Sequence, residues 1–236
     1  MKTRLFFLHV LTPLHVGVGQ SLGVVDLPIM RERSTQLPIV PGSAVKGVLR
    51  DVWAQVQESS PWAQAAHCIA TLMGPQTDEL AANAHAGALA FGDARTLLLP
   101  VRSLAGVAAW VTCPFVLMRY ARDLAMQGGT APPVPKVDQA LLASDDAAVV
   151  FSVPGDHGQK TVLLEDLELP ARHDDAARQW ADHLAQAMAP LEGTWSDLLS
   201  RHLVLLPDDE FAFFVETATE IRARVRVDDK TRTVVE

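Results

Sequence analysis

Residues 23–50 read GVVDLPIMRERSTQLPIVPGSAVKGVLR and combine one isolated carboxylate with a file of basic side chains. Asp26 stands among apolar neighbours, and two arginines, Arg31 and Arg33, follow it. A Pro-Gly-Ser turn then precedes Lys46 at the expected start of a helix. An acid so close to several cations indicates either a structural ion pair or a site for a phosphate-bearing ligand.

The Pro-Gly-Ser turn predicts a helix start with Ser43 as its N-cap, because apolar residues recur at helical spacing through about residue 57. Lys46 would lie in the first turn and Arg50 one turn further on the same face. Ser43, the free N–H groups and these two cations together predict an anion-binding helix start. A solvated lysine on an amphipathic helix remains the alternative, and the spacing of a Walker P-loop is absent.

Asp26 is the sharper anomaly, since an ionised carboxylate among apolar residues is expected to be exposed or paired. Arg31 and Arg33 are candidate partners in a structural ion pair. The functional alternative is a metal ligand or a proton acceptor beside a bound phosphodiester. His15, on the preceding glycine-rich loop, is a second catalytic candidate, although a lone histidine also suits a structural hydrogen bond.

The charge of the chain is unevenly distributed. The 236 residues carry a net charge of −8, which argues against a general nucleic-acid binder. Residues 1–50 nevertheless hold six Lys and Arg against two Asp and Glu, and residues 221–232 hold five against two. Two basic segments on an acidic body favour contact with a polyanion along a defined track.

Cys68 and Cys113 lie far apart in apolar surroundings and suit buried thiols of a reducing compartment. The dipeptide His67-Cys68 and His85 lack the spacing of a zinc site, so no structural zinc is expected. No run approaches the ~20 apolar residues of a membrane span. A cytoplasmic protein without a membrane partner is therefore expected.

Periodicity and turn residues predict an α+β domain, because strands and helices interleave irregularly. The expected helices are 43–57, part of 62–90, 114–127, 173–189, 194–201 and 208–219, the last capped by Asp208. The expected strands are 3–11, 88–101, 106–113, 148–153, 161–169 and 202–206, followed by a hairpin that turns at residues 228–230.

The terminal hairpin would place Arg222, Arg224 and Arg226 on one face. These arginines suit contact with an RNA backbone, or protection of an edge strand. Glu216 and Glu220, one turn apart before the hairpin, suit either a paired acidic site or two exposed helical acids.

Several stretches resemble the RAMP superfamily of CRISPR proteins, and most closely the repeated backbone subunit of type III-B RNA-guided effector complexes. They are LTPLHVGVGQSLGVVDLPIMRERSTQLPIVPGSAVKGVLR, FGDARTLLLPVRSLAGVAAWVTCPFVLMRYARDL, LEDLEL and DDEFAFFVETATEIRARVRV. They follow the order of the family along nearly the whole chain, which makes the resemblance specific.

The resemblance implies an RRM-like, ferredoxin-like palm with helical insertions and a protruding β-hairpin thumb. It implies a single domain over residues 1–236, with inserted segments at about 57–90 and 128–200 and the thumb at about 217–236. Family members continue beyond the last residue here, so the C-terminal part of the fold is expected to be absent.

The resemblance also implies a function. The chain would be a guide-RNA-binding filament subunit that cleaves target RNA at regular intervals in antiviral defence, active within the assembled complex. Its partners would be CRISPR guide RNA, single-stranded target RNA, copies of itself and other subunits. A non-catalytic RNA-binding scaffold of the same kind of complex is the alternative, and an unrelated soluble enzyme a third.

Individual residues receive roles from the same resemblance. Asp26 falls on the catalytic aspartate and is the candidate ligand of a divalent Mg²⁺ or Mn²⁺ ion, and His15 falls in the active-site region. Cleavage would proceed by attack of the neighbouring 2′-hydroxyl and would leave a 2′,3′-cyclic phosphate. The residues assigned to RNA contact are Ser43, Lys46, Arg50, Arg31, Arg33, Arg222, Arg224 and Arg226.

Overall fold

The computed structural model describes residues 2–18, 28–58, 65–75, 85–151, 160–190 and 193–220, and the backbone of residues 226–227 and 234–235. The chain packs as two compact units. One comprises residues 14–97, and the other, the sheet unit, comprises residues 1–13 and 98–236. A single domain over residues 1–236 stays a prediction.

Helices and strands alternate irregularly along the chain, which confirms the predicted α+β class. The helices are α1 Gly42–Glu58, α2 Ala65–Met73, α3 Pro114–Ala125, α4 Asp175–Met188, α5 Trp195–His202 and α6 Asp208–Thr217. The strands are β1 Ile39–Val40, β2 Ala94–Arg95, β3 Leu99–Arg102, β4 Ala108–Thr112, β5 Ala140–Leu142, β6 Val150–Phe151, β7 Lys160–Leu164, β8 Leu167–His173, β9 Leu203–Leu205, β10 Arg226–Val227 and β11 Val234–Val235.

Seven strands form the main sheet in the order β3-β4-β9-β5-β8-β7-β6. Strand β9 lies between β4, to which it is parallel, and β5, to which it is antiparallel. Every residue of β5 and β9 is buried, as expected for central strands covered on both faces. The segment 128–200, predicted as an insertion, supplies β5 to β8 and is therefore part of this sheet.

The sheet curls until two of its hairpins meet. Ser103, at the end of β3, forms a bridge with Leu164 at the end of β7. Two backbone hydrogen bonds flank the bridge, from Leu104 N–H to the Leu163 carbonyl at 3.0 Å and from Glu165 N–H to the Arg102 carbonyl at 2.8 Å. Backbone groups at the end of the outer strand β3 are thus paired rather than left open.

Helix α4 illustrates how apolar spacing builds the core. Asp174 caps the helix, because its Oδ1 atom accepts a hydrogen bond from Ala176 N–H at 2.9 Å. Trp180 and Leu184 are fully buried one turn apart on the same face. The indole N–H of Trp180 donates to the Pro133 carbonyl at 3.0 Å, so this large side chain is buried without an unpaired donor.

The opening segment contains a correction. Within the described residues, no strand is present at residues 3–11, so the predicted strand was wrong. The prediction rested on an apolar run, whereas in the structure burial alternates: Leu5, Phe7 and His9 are half-buried between exposed neighbours. The Phe7 ring lies 6.2 Å from that of Tyr120, so the segment is held by side chains rather than by a ladder of backbone hydrogen bonds.

Helix α3 begins at Pro114, as predicted, and Gly128 follows its end with a φ of 84°. Its first turn is capped from a distance, because Asp208 Oδ1 accepts a hydrogen bond from Phe115 N–H at 2.9 Å. The prediction that Asp208 caps its own helix was wrong, since Asp208 is the first helical residue of α6 and follows the cap position at Pro207. One carboxylate therefore ties two helix starts together.

Strands β10 and β11 pair antiparallel, Arg226 with Val235 and Val227 with Val234, as the predicted hairpin requires. The predicted turn at residues 228–230 lies outside the described residues, and so do Arg222 and Arg224. The protrusion of this hairpin as a thumb stays a prediction.

Candidate nucleic-acid interface

The unit of residues 14–97 is built on a short antiparallel ladder. Its pairings run from Gly17 with Ile29 through Arg31 with Pro38 to β1 with β2. Met30, in the middle segment of the ladder, is hydrogen-bonded to the segments on both sides. Its N–H donates to the Val16 carbonyl at 2.7 Å, and its carbonyl accepts from Ile39 N–H at 3.1 Å. The chain therefore reverses direction at each step of the ladder.

This alternation decides which residues lie at the same end. The first segment of the ladder leaves at Val18 and the second enters at Pro28, and these two residues are hydrogen-bonded at 3.1 Å. The connection between them, residues 19–27, carries Asp26 and lies outside the described residues. Since the third segment runs back to the same end before α1 begins, the attachment points of that connection and the start of α1 share one end of the ladder.

His15 lies on the same ladder, further from the end formed by Val18 and Pro28. The register of Gly17 with Ile29 places it level with Arg31, three residues before Val18. Three extended residues correspond to about 10 Å along the strand. His15 is half-buried and lies away from the end where residues 19–27 attach, and its catalytic role stays a prediction.

The start of α1 differs in detail from the sequence prediction. The helix begins at Gly42, so Ser43 lies inside the first turn and the prediction of an N-cap at Ser43 was wrong. The carbonyl of Pro41 accepts hydrogen bonds from Ala44 N–H at 2.9 Å and Val45 N–H at 3.1 Å. Gly42 N–H donates to Asp93 Oδ1 at 2.9 Å. A carboxylate from a distant segment therefore caps the helix.

Gly42 is required by close packing. A Cβ atom added at this position would lie 2.1 Å from the Phe91 carbonyl oxygen, much closer than van der Waals contact allows. The glycine of the Pro-Gly-Ser turn thus lets the backbone of residues 91–93 cross directly against the helix start.

Lys46 remains available for a ligand. It is half-buried at the beginning of the second turn of α1. Across the part of the chain that the structure describes, its ammonium group makes no hydrogen bond or ion pair. A half-buried cation without a protein partner suits a phosphate contact.

Arg50, in contrast, is engaged within its own unit. Its Nη2 atom donates to the carbonyls of Met73 at 2.6 Å and Gly74 at 3.0 Å, and its Nη1 atom donates to the Pro75 carbonyl at 3.3 Å. These contacts satisfy carbonyls at the end of α2, where helices lack internal donors. Contact of Arg50 with RNA stays a prediction, and its guanidinium is already hydrogen-bonded to the carbonyls of residues 73–75.

The other cations of the opening stretch lie around a turn. Arg31 Nη1 donates to the Gln36 carbonyl at 2.8 Å. Glu32 accepts from the Thr35 hydroxyl at 2.6 Å and forms an ion pair with Arg95 at 3.4 Å. Arg33 is exposed. RNA contact by Arg31 and Arg33 stays a prediction, as does an ion pair of either with Asp26.

Among the same described residues, no group of three or more His, Cys, Asp or Glu side chains could hold a metal ion. Asp26 and the side chains of His67 and Cys68 are not among those residues.

Burial raises the pKa of the Cys113 thiol to about 12, so it is an inert structural group. Helix α6 ends at Thr217, before Glu220, so the predicted pair of Glu216 and Glu220 does not share a helix.

No described helix combines the length and the apolar character needed to cross a bilayer.

Asp93 is the functional candidate that sequence reasoning missed. It stands in the quoted FGDART motif, just before β2. Only the pairing of β1 with β2 brings it beside Gly42, 51 residues earlier in the chain. A conspicuous aspartate after glycine was the available signal, but its partner depends on strand register.

The chain combines a curled main sheet with a short ladder that leads into α1. Comparison with known proteins assigns it to a family. Residues 7–236 match the model of the RAMP superfamily, and the chain belongs to that superfamily. The resemblance that the sequence motifs suggested is confirmed.

Among individual relatives, the chain is 35% identical over 237 residues to the CRISPR system Cmr endoribonuclease Cmr4 of Pyrococcus furiosus, covering 99% of this chain and 74% of that protein. A crystal structure of oligomeric Cmr4 from the same organism superposes with a TM-score of 0.66 at 32% identity, covering 89% of this chain and 72% of that one. A type III-B Cmr-beta complex bound to cognate target RNA contains a chain that shares the fold at 17% identity, with a TM-score of 0.62 and coverage of 95% and 73%.

Proposed function

We propose that this chain is a guide-RNA-binding backbone subunit of a type III-B RNA-guided effector complex and that it cleaves target RNA. The observation that carries the proposal is the 35% identity to a Cmr endoribonuclease across 99% of this chain. The stretch containing Asp26, Lys46 and the helix start lies inside that match. Its partners are guide RNA, target RNA, further copies of the chain and other subunits, within the cytoplasm.

The geometry of the 14–97 unit supports this function. The connection that carries Asp26 attaches at the same end of the ladder as the start of α1, which carries Ser43 and Lys46. The attachment points of the connection that carries the candidate catalytic acid therefore share one end of the ladder with a lysine that has no partner among the described residues. The chain as a whole carries a net charge of −8, which disfavours RNA binding elsewhere on its surface.

The chemistry is an in-line transesterification. The 2′-oxygen of the target nucleotide attacks the adjacent phosphorus, the bond to the 5′-oxygen breaks, and the products are a 2′,3′-cyclic phosphate and a 5′-hydroxyl. Asp26 accepts the proton of the 2′-hydroxyl or holds a water that does so, and His15 is the second candidate for proton transfer. A divalent Mg²⁺ or Mn²⁺ ion, held by Asp26, would stabilise charge on the phosphate oxygens.

The test compares Asp26→Asn with the wild-type chain in complexes reconstituted with guide RNA and sibling subunits. We expect cleavage of target RNA to fall by about a hundredfold or more, because a proton acceptor is lost. Assembly and target binding should remain unchanged. Asp51→Asn, which removes an exposed carboxylate from α1 in the same unit, is the matched control and should cleave normally.

Each alternative outcome has a definite meaning. Cleavage by Asp26→Asn at the wild-type rate would remove Asp26 from catalysis. A wild-type complex that assembles on guide RNA and binds target without cleaving it would make the chain a scaffold. Cleavage that persists in EDTA would remove the divalent ion from the proposal, and a chain that ignores RNA at low salt would overturn the whole function.

A further inference from the structure

The cap of α1 comes from outside the helix and carries a full charge. Asp93 Oδ1 lies 2.9 Å from Gly42 N. Most helix caps are neighbouring residues, whereas this one is delivered by the pairing of Val40 with Ala94. The packing of Gly42 against the Phe91 carbonyl fixes the same approach, because no side chain fits between them.

Three of the four first-turn N–H groups of α1 have acceptors within the protein. Gly42 donates to Asp93, and Ala44 and Val45 donate to the Pro41 carbonyl. Within the described residues, the N–H of Ser43 is the first-turn donor without a partner, and Ser43 is exposed. The anion-binding helix start predicted from the sequence is therefore largely occupied by the protein itself.

A carboxylate at a helix N-terminus interacts favourably with the helix dipole and repels a second anion at that spot. A phosphate near α1 must therefore be bound to one side of the cap. Among the described residues of this helix start, the donors that remain are the Lys46 ammonium and the N–H and hydroxyl of Ser43.

We propose that Asp93 is a positioning residue for the RNA contact of α1: it fills the anion position at the helix N-terminus and fixes the first turn, so that Lys46 receives the phosphate. The proposal rests on the proposed function and adds the element that orders and aims the contact. Asp93 acts through the helix and does not itself touch RNA.

Two substitutions separate the hydrogen bond of Asp93 from its charge. Asp93→Ala removes both, so the first turn is expected to fray and Lys46 to lose its fixed position. Asp93→Asn keeps an oxygen acceptor for Gly42 N–H but removes the negative charge beside the polyanion. The two variants are therefore expected to change RNA affinity in opposite directions.

The experiment measures binding of the full chain to single-stranded guide RNA between about 50 and 200 mM salt. Asp93→Ala should lower affinity about tenfold at low salt and reduce the slope of log affinity against log salt by about 0.7, the loss of one phosphate contact on a single strand. Lys46→Ala should reduce the slope equally. Asp93→Asn should keep the wild-type slope and bind about two- to threefold more tightly at low salt.

Asp208→Ala is the matched control, because Asp208 caps α3 in the sheet unit through an N–H bond of the same 2.9 Å length. It should lower thermal stability as Asp93→Ala does while leaving the salt slope unchanged. Circular dichroism of every variant at the binding temperature establishes that equal folded fractions are compared.

The outcomes separate this inference from the function beneath it. A wild-type chain that does not bind RNA defeats both. Wild-type binding with a reduced slope in Lys46→Ala but not in Asp93→Ala defeats this inference alone. A slope lowered equally by Asp208→Ala, or a loss of affinity in Asp93→Asn as large as in Asp93→Ala, also overturns it.

Discussion

The two compact units of the chain are stabilised in different ways. Among the described residues, the fully buried apolar side chains lie almost entirely in the sheet unit, and the 14–97 unit contributes only Leu37 and Met73. That unit relies instead on its backbone ladder, the Arg50 contacts with α2 and the Asp93 cap.

This difference in stabilisation bears on where residues that bind a charged ligand can lie. Burial in the sheet unit gives a scaffold whose opening costs most of the folding free energy, whereas segments held by hydrogen bonds at a solvated surface open more easily. The candidate RNA contacts whose side chains the structure describes, Ser43, Lys46, Arg50, Arg31 and Arg33, lie on the less buried unit, whose polar groups remain accessible to a charged ligand. Three measurements test this contrast and are given in order of decreasing effect.

Truncation of the central sheet should have the largest effect. Leu141, in the fully buried strand β5, has no exposed surface. Leu141→Ala should lower the free energy of unfolding by about 2–5 kcal/mol, through lost burial and the cavity left behind. Leu104→Ala, at a side chain that is 55% exposed, is the control and should stay within about 0.5 kcal/mol. Denaturant titration measures both, and equal losses would contradict the contrast between burial and exposure.

Loss of the Arg50 guanidinium should have an intermediate and local effect. Arg50→Met removes three hydrogen bonds to residues 73–75, so we expect about 1–3 kcal/mol of local destabilisation. Hydrogen exchange should accelerate in α2 and leave the sheet strands unchanged.

Arg50→Lys separates the structural role of Arg50 from its predicted role in RNA binding. Lysine keeps the charge but not the planar fork of donors, so its exchange should resemble that of Arg50→Met. If both variants kept wild-type exchange in α2 while Arg50→Met alone lost RNA affinity, the arginine would be an RNA ligand rather than the cap of α2.

The smallest effect concerns pH. Burial lowers the pKa of His183, whose Nε2 atom lies 3.1 Å from the Tyr120 hydroxyl, and burial raises the pKa of that hydroxyl. A histidine with a lowered folded pKa stabilises the fold fully above its ordinary value of 6.5, and this stabilisation is lost as pH falls towards the folded value. Unfolding free energy should therefore decline from pH 7 to pH 5 less steeply in His183→Gln than in wild type. An unchanged slope would contradict this assignment.

Most elements could be predicted from the sequence because their signals are local. Pro114 marked the start of α3, and apolar runs marked β4 and β7. The segment at residues 3–11 is a similar apolar run and yet forms no strand within the described residues, since an apolar run indicates burial and does not provide a partner strand. The place of β5 to β8 in the main sheet was missed because strand order depends on contacts between distant residues.

The candidate site shows the same limit. Lys46 was found from its place after the Pro-Gly-Ser turn, and its ammonium group has no partner within the described residues. Arg50, one turn on, looked equivalent in sequence, but α2 supplies carbonyls that engage it. The sequence alone did not indicate Asp93, because its role depends on strand pairing across 51 residues. Asp26 was chosen because it lies in a family motif, and its catalytic role stays a proposal.

The position of β9 has a consequence for synthesis of the chain. Residues 203–205 fill the gap between β4 and β5, although they are translated about 60 residues after β5. At ~5–20 residues per second, the ribosome needs roughly 3–12 s to make that stretch. During this interval the two waiting strands have exposed apolar edges and no partner on that side. Nascent chains stalled before residue 203 should therefore bind chaperones, and those stalled well beyond residue 205 should release them.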